Sequence, residues 1–244
     1  MINLWKGWRK HILNFLKINI YCMKSNLLHI CFVLDESGSM YGSVGDVIGG
    51  FQKLIDEQKQ LKDGECIISV YRFATTVKCD YLGKDVNEIP ALKYEPGGCT
   101  AMNDGIGTAI DEVGLWLSDM DESERPSKNL IVIMTDGMEN ASKEYTLQDV
   151  KDRIKHQEEK YNWSFVYMGT DLNSLDDAKN LGIALASVSS RDNVANNYSH
   201  INAYANSYRS AVLDADYEVA TECLAASLNE DTVKYSAENG IEIK

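Results

Sequence analysis

The chain has 244 residues, 44% of them hydrophobic, and a formal net charge of −13. That length suits one large domain with trimmings, and no apolar stretch approaches the length of a transmembrane helix. An acidic surface repels nucleic acid, which sets nucleic-acid binding aside.

Residues 1–22 form a basic leader with Lys6, Arg9, Lys10 and Lys17 and no acid. The rest of the chain then keeps 20 of the 24 basic residues against all 37 acidic ones. A signal peptide there is interrupted by Asn14, Lys17 and Asn19 and lacks a small-residue cleavage site. A membrane-surface helix also fits the charge. The favoured reading is an upstream extension, with Met23 as the natural start and a domain over 23–213.

HICFVL (29–34) is β-branched and aromatic and predicts a strand. Val44, Val47, Ile48, Phe51, Leu54 and Ile55 recur at a period near 3.6 and predict a helix, with Ser43 and Asp46 resembling a capping box. CIISVYRFA (66–74) and TVKCDYL (76–82) predict an antiparallel hairpin turning at Thr75. Past Pro90, Pro96 and Gly97-Gly98, the residues Met102, Ile106, Ile110, Val113 and Leu117 share a helical face. NLIVIMTD (129–136) is nearly all apolar, as in a strand covered on both faces. Thr146 and Asp149 repeat the capping pattern before Leu147, Val150 and Ile154. WSFVYMG (163–169) predicts a strand, and DLNSLDDAKNLG a short helix stopped by Gly182. IALASV (183–188) predicts a last strand. Tyr198, Ile201, Tyr204, Ala205 and Tyr208 mark a further helix and read as core. Residues 214–244 carry eight acids and two lysines, so a solvated acidic helix and a loose tail are expected.

Strands alternating with helices imply an α/β fold. Its sheet is doubly wound and mostly parallel, with right-handed crossovers and helices on both faces. The cysteines Cys22, Cys31, Cys66, Cys79, Cys99 and Cys223 are scattered without a C-x-x-C pair, which reads as a reduced, cytoplasmic protein.

Open α/β sheets bind ligands beyond the carboxyl ends of their strands, where the strand order reverses. Three segments reach that edge. The first strand ends in Asp35, Ser37 and Ser39, with Gly38 letting the loop curl. The apolar strand ends in Asp136-Gly137. The loop GGCTAMNDG supplies Thr100 and Asp104. Two carboxylates and three hydroxyls suit Mg²⁺ or Mn²⁺, with Ca²⁺ as a further option, rather than zinc. Each residue alone fits an ordinary turn or helix entry; the five in register do not. Asp171 on the same edge fits a helix N-cap, and His29, His156 and His200 fit structural roles.

D-x-S-G-S-M, then Gly97-Gly98-Cys99-Thr100, then T-D-G resemble the metal-ion-dependent adhesion site of von Willebrand factor A-like domains. The order matches across 27–213. The wording IGGFQKLIDEQK, GGCTAMNDGIG, IVIMTDGMENAS and HQEEKYNWSFVYMGTD resembles a bacterial subgroup. The resemblance implies a six-stranded sheet with an antiparallel edge hairpin and a metal that grips a partner. It assigns Ser37, Ser39 and Thr100 as hydroxyl ligands, and Asp35 and Asp136 as ligands direct or through water. Asp104 would orient the metal waters or the loop. Cys99 departs from the usual small or hydroxyl residue and puts a thiol beside the site.

The leading expectation is a protein-binding module, not an enzyme, gripping a partner's Asp or Glu through the cation. The rival is a metal-dependent hydrolase or phosphoryl-transfer enzyme. Such enzymes need a base or nucleophile, and the three loops hold no histidine. A membrane role is not expected.

Overall fold

The structure is a computed structural model, and it describes residues 24–170, 173–188, 194–210 and 214–238. The leader over 1–22 and Asp171 lie outside the described residues. The elements run β1 (Lys24–Asp35), α1 (Val44–Gln60), β2 (Glu65–Phe73), β3 (Val77–Asp85), α2 (Met102–Ser118) and β4 (Pro126–Met134). They continue as α3 (Leu147–Tyr161), β5 (Ser164–Gly169), α4 (Asn173–Leu181), β6 (Leu185–Val188), α5 (Val194–Ser210) and α6 (Asp214–Glu238). One sheet holds the strands in the order β3-β2-β1-β4-β5-β6. Every pairing is parallel except β2 with β3.

Alternation along the strands divides the core in two, because successive side chains leave a strand on opposite faces. Leu28, Ile30, Phe32 and Leu34 of β1 pack under α1, α5 and α6. Cys31 and Val33 face α2, α3 and α4. Residues Asn129 to Met134 of β4 are all buried, as a strand covered on both faces requires. The chain leaves β1 toward β2, then returns past β1 to β4. The strand order therefore reverses between β1 and β4, the place beyond whose carboxyl ends open α/β sheets bind ligands.

Two local expectations are corrected. Ser43 does not cap α1: a 3-10 turn over Gly38–Ser43 feeds the helix directly, and the Ser43 hydroxyl is buried without a bond. Thr146 and Asp149 do form a complete capping box. The acidic segment after 213 is not a solvated helix over its described part. Leu224, Leu228, Thr232 and Ser236, four residues apart, are all buried. Thr232 Oγ1 accepts the Val188 N–H at 3.1 Å and donates to the Leu228 carbonyl at 3.1 Å, fixing α6 to β6. Half of that stripe is hydroxyl rather than apolar, which hides it from a hydrophobicity count. Among the described residues, no helix is long and apolar enough to cross a membrane.

Candidate metal centre

Asp35 is the last residue of β1 and is fully buried. Its Oδ1 accepts the Ser37 N–H at 2.7 Å, which turns the chain back over the strand end. Its Oδ2 accepts the Thr135 hydroxyl at 2.6 Å, which ties β1 to the end of β4. The Tyr94 hydroxyl donates to the Asp35 carbonyl. Ser37 Oγ and Ser39 Oγ stand 2.9 Å apart. Burial pushes the Asp35 carboxyl above its ordinary range, and the Asp136 carboxylate adds to it, against the hydrogen bonds from Thr135 and Ser37.

The second loop is fastened at both ends. Gly98 has φ +80°, and a Cβ there would stand 2.5 Å from Thr75 Oγ1, so the position needs glycine for conformation and for space. Its carbonyl accepts the Gly38 N–H at 3.2 Å. Gly38 itself has no positive φ. Its role is this contact rather than a left-handed curl. Thr100 is held by Asn140 twice. Its N–H donates to Asn140 Oδ1 at 2.9 Å, and its carbonyl accepts the Asn140 N–H at 3.0 Å.

The third loop closes the set at Gly137. A Cβ on Gly137 would lie 3.1 Å from Thr100 Oγ1, 3.2 Å from Ser39 Oγ and 3.5 Å from Asp35 Oδ2. Oxygens from two separate loops thus crowd one point beside the third. Any larger residue at 137 would intrude into that space. Asp136, next to it, is buried. Two adjacent ligands of an octahedral ion at about 2.0–2.1 Å lie roughly 2.9 Å apart. The Ser37–Ser39 spacing already has that value. The donor set and the space therefore fit a small hard cation. Among the described residues, no three His, Cys, Asp or Glu side chains group as a metal cluster. This gathering is of two carboxylates and three hydroxyls.

Asp104 serves the loop. Its carboxylate accepts the N–H groups of Lys143, Glu144 and Tyr145 at 2.8–2.9 Å. Glu139 is its counterpart across the same junction. It accepts from the N–H groups of Asn103, Ala141 and Ser142 and from the Ser142 hydroxyl. Burial pushes the Glu139 carboxyl up, but these hydrogen bonds outweigh it and hold the group below its ordinary range. Sequence reading assigned no role to Glu139 or Asn140. An acid and an amide one residue past T-D-G were the available signal. Glu36, inside D-x-S-G-S, is also buried. It pairs with Arg72, which also grips Asp80 through two bonds of 2.6–2.7 Å.

Residues 29–223 match the family model of the von Willebrand factor type A domain. No curated protein matches the chain. Among solved structures, the chain is similar to proximal thread matrix protein 1 from the mussel byssus. The TM-score is 0.53 at 18% identity, over 74% of this chain and 46% of that one. Another structure of that protein, with a zinc-occupied MIDAS motif, gives 0.51 at 16% identity, over 74% and 46%. The pilus adhesin SpaC of Lactobacillus rhamnosus GG, in an open conformation, gives 0.55 at 13% identity, over 75% and 30%. The chain spans less than half the length of each. Identities this low show a shared fold.

Proposed function

This chain belongs to the von Willebrand factor type A family, and we propose that it grips an Asp or Glu of a protein partner through one divalent cation. Asp35, Ser37, Ser39, Thr100 and Asp136 would hold the ion, Mg²⁺ or Mn²⁺ before Ca²⁺. Asp104, Glu139 and Asn140 position the loops that carry them. The crowding of oxygens at Gly137 supports this most directly, because a side chain there would press on the oxygens of Thr100, Ser39 and Asp35. When bound, the ion supplies an electrophilic position that accepts a carboxylate from outside. Asp35 and Asp136 together offset its two charges, and the hydroxyls fill coordination without adding charge. Ser37 and Ser39 bond to each other rather than to a base, which favours binding over hydrolysis or phosphoryl transfer. Cys31, Cys66, Cys79, Cys99 and Cys223 are free thiols, in keeping with a reducing cytoplasm. The wording GGCTAMNDGIG favours the bacterial subgroup.

Calorimetric titration with Mg²⁺, Mn²⁺, Ca²⁺ and Zn²⁺, each with and without acetate, tests the reading. Zinc belongs in the series because of the zinc-occupied structure above. Saturable binding of one Mg²⁺ or Mn²⁺, tightened by acetate, is the expected result. No binding of either ion up to millimolar concentration, with acetate present, would overturn it.

A further inference from the structure

Each of the three loops that carry the proposed ligands includes a stretch without formal charge. Residues 37–45, 96–103 and 137–138 contain no Asp, Glu, Lys or Arg, in a chain that is 25% charged. The acids that follow two of these stretches are engaged with backbone. Asp104 holds the amides of Lys143 to Tyr145, and Glu139 those of Asn103, Ala141 and Ser142. Each loop also exposes one soft side chain within two residues of a proposed ligand. Tyr41 is 69% exposed and Met138 70%, the highest among the large hydrophobic side chains described. The Cys99 thiol is exposed beside Thr100.

We propose that Tyr41, Cys99 and Met138 form an apolar rim that reads the neighbours of the bound carboxylate. The partner is then a protein segment in which one Asp or Glu stands between large apolar side chains. This rests on the cation-gripping reading above. Charge selects the approach: a surface with net −13 repels an acidic segment, and the uncharged rim is where such a segment meets the cation without that penalty. Chemistry selects the neighbours. Tyr41 offers a rigid amphipathic ring, and Met138 a flexible, polarizable side chain that adapts to apolar shapes. Exposed apolar groups are unremarkable when scattered. Here one stands in each of the three loops, within two residues of a proposed ligand.

The test uses the full chain loaded with Mn²⁺ and two probes, N-acetyl-aspartyl amide and N-acetyl-Leu-Asp-Phe-amide. Free Mn²⁺ is followed by electron paramagnetic resonance, and probe binding by water-proton relaxation. The tripeptide is expected to bind about tenfold or more tightly than the single residue. The double variant Tyr41→Ser, Met138→Ser should bring the two probes to similar affinity and leave Mn²⁺ affinity unchanged. Both side chains are largely solvated, so the variant is expected to fold. Equal affinity of the two probes for the unsubstituted protein would overturn the rim and leave the cation site standing. A loss of Mn²⁺ affinity in the double variant would also overturn it, by placing these residues in metal binding. Failure of the unsubstituted chain to bind either Mn²⁺ or Mg²⁺ would overturn both readings.

Discussion

Two buried polar clusters share β1 and obey opposite rules. His29 lies in the sheet interior, fully buried, with every bond matched. Its Nδ1–H donates to Asn129 Oδ1 at 3.0 Å, and the Ser69 hydroxyl donates to Nε2 at 2.8 Å. Ser69 Oγ in turn accepts the Gly83 N–H at 2.8 Å, and the ring meets Trp116 edge-on at 5.3 Å. The cluster is neutral and closed. Six residues along the same strand, Asp35 brings a carboxylate to the strand end, and Asp136 brings another close enough to raise the first. Negative charge and hydroxyls gather at one point there. A polar cluster whose donors and acceptors balance is structure. One that accumulates negative charge costs folding free energy, and that excess is what supports the cation-binding proposal.

The contrast can be broken at either end. The largest effect is expected at His29. Burial lowers its pKa to about 4, against the Asn129 hydrogen bond, from an ordinary 6.5. Between those values the unfolded chain binds the proton and the folded chain does not. Stability is therefore full above pH 6.5 and falls as pH drops toward 4, by about 3 kcal/mol from this residue. Denaturant midpoints at pH 7 and 4.5 measure the loss. A His29→Gln variant, which takes up no proton, should lose less over that interval and keep its metal affinity.

Asp136→Ala comes next. It should weaken Mg²⁺ and Mn²⁺ by about 100-fold or more while the fold persists, since the substitution removes one of two repelling charges. Paired calorimetry and thermal melting check both halves; a lost fold would assign Asp136 to structure, like His29. Asp104→Ala should be milder, on the order of 10–100-fold in metal affinity, because Asp104 acts through the amides of residues 143–145. Faster amide exchange over 140–145 should accompany it. The smallest effect is expected from removing residues 1–22. A chain starting at Met23 should match the stability of the full chain to within about 0.5 kcal/mol in denaturant titration.

Much of this was legible along the chain. The apolar run of β4, the helical periodicity of α2 and the tyrosine face of α5 each declare one environment, and each is found where its period put it. The ligand candidates were legible because hydroxyls and carboxylates at strand ends follow a short local motif. Glu139, Asn140 and Glu36 were not, because the bonds that join them to other loops reach about 35 to 60 residues along the sequence. The α6 stripe escaped for a related reason: Thr232 and Ser236 look solvent-bound until β6 supplies a partner.

By itself, then, the sequence determined the alternation of strands and helices and the chemistry of the three loops. Periodicity and side-chain type are local properties, carried by neighbouring residues. Only the tertiary structure decided that Thr100, Ser39 and Asp35 crowd the space beside Gly137, that α6 belongs to the core, and that His29 is neutral and closed. Those outcomes depend on distances of a few ångströms between segments far apart in the chain, and such distances are fixed when the sheet assembles and its strand order reverses between β1 and β4.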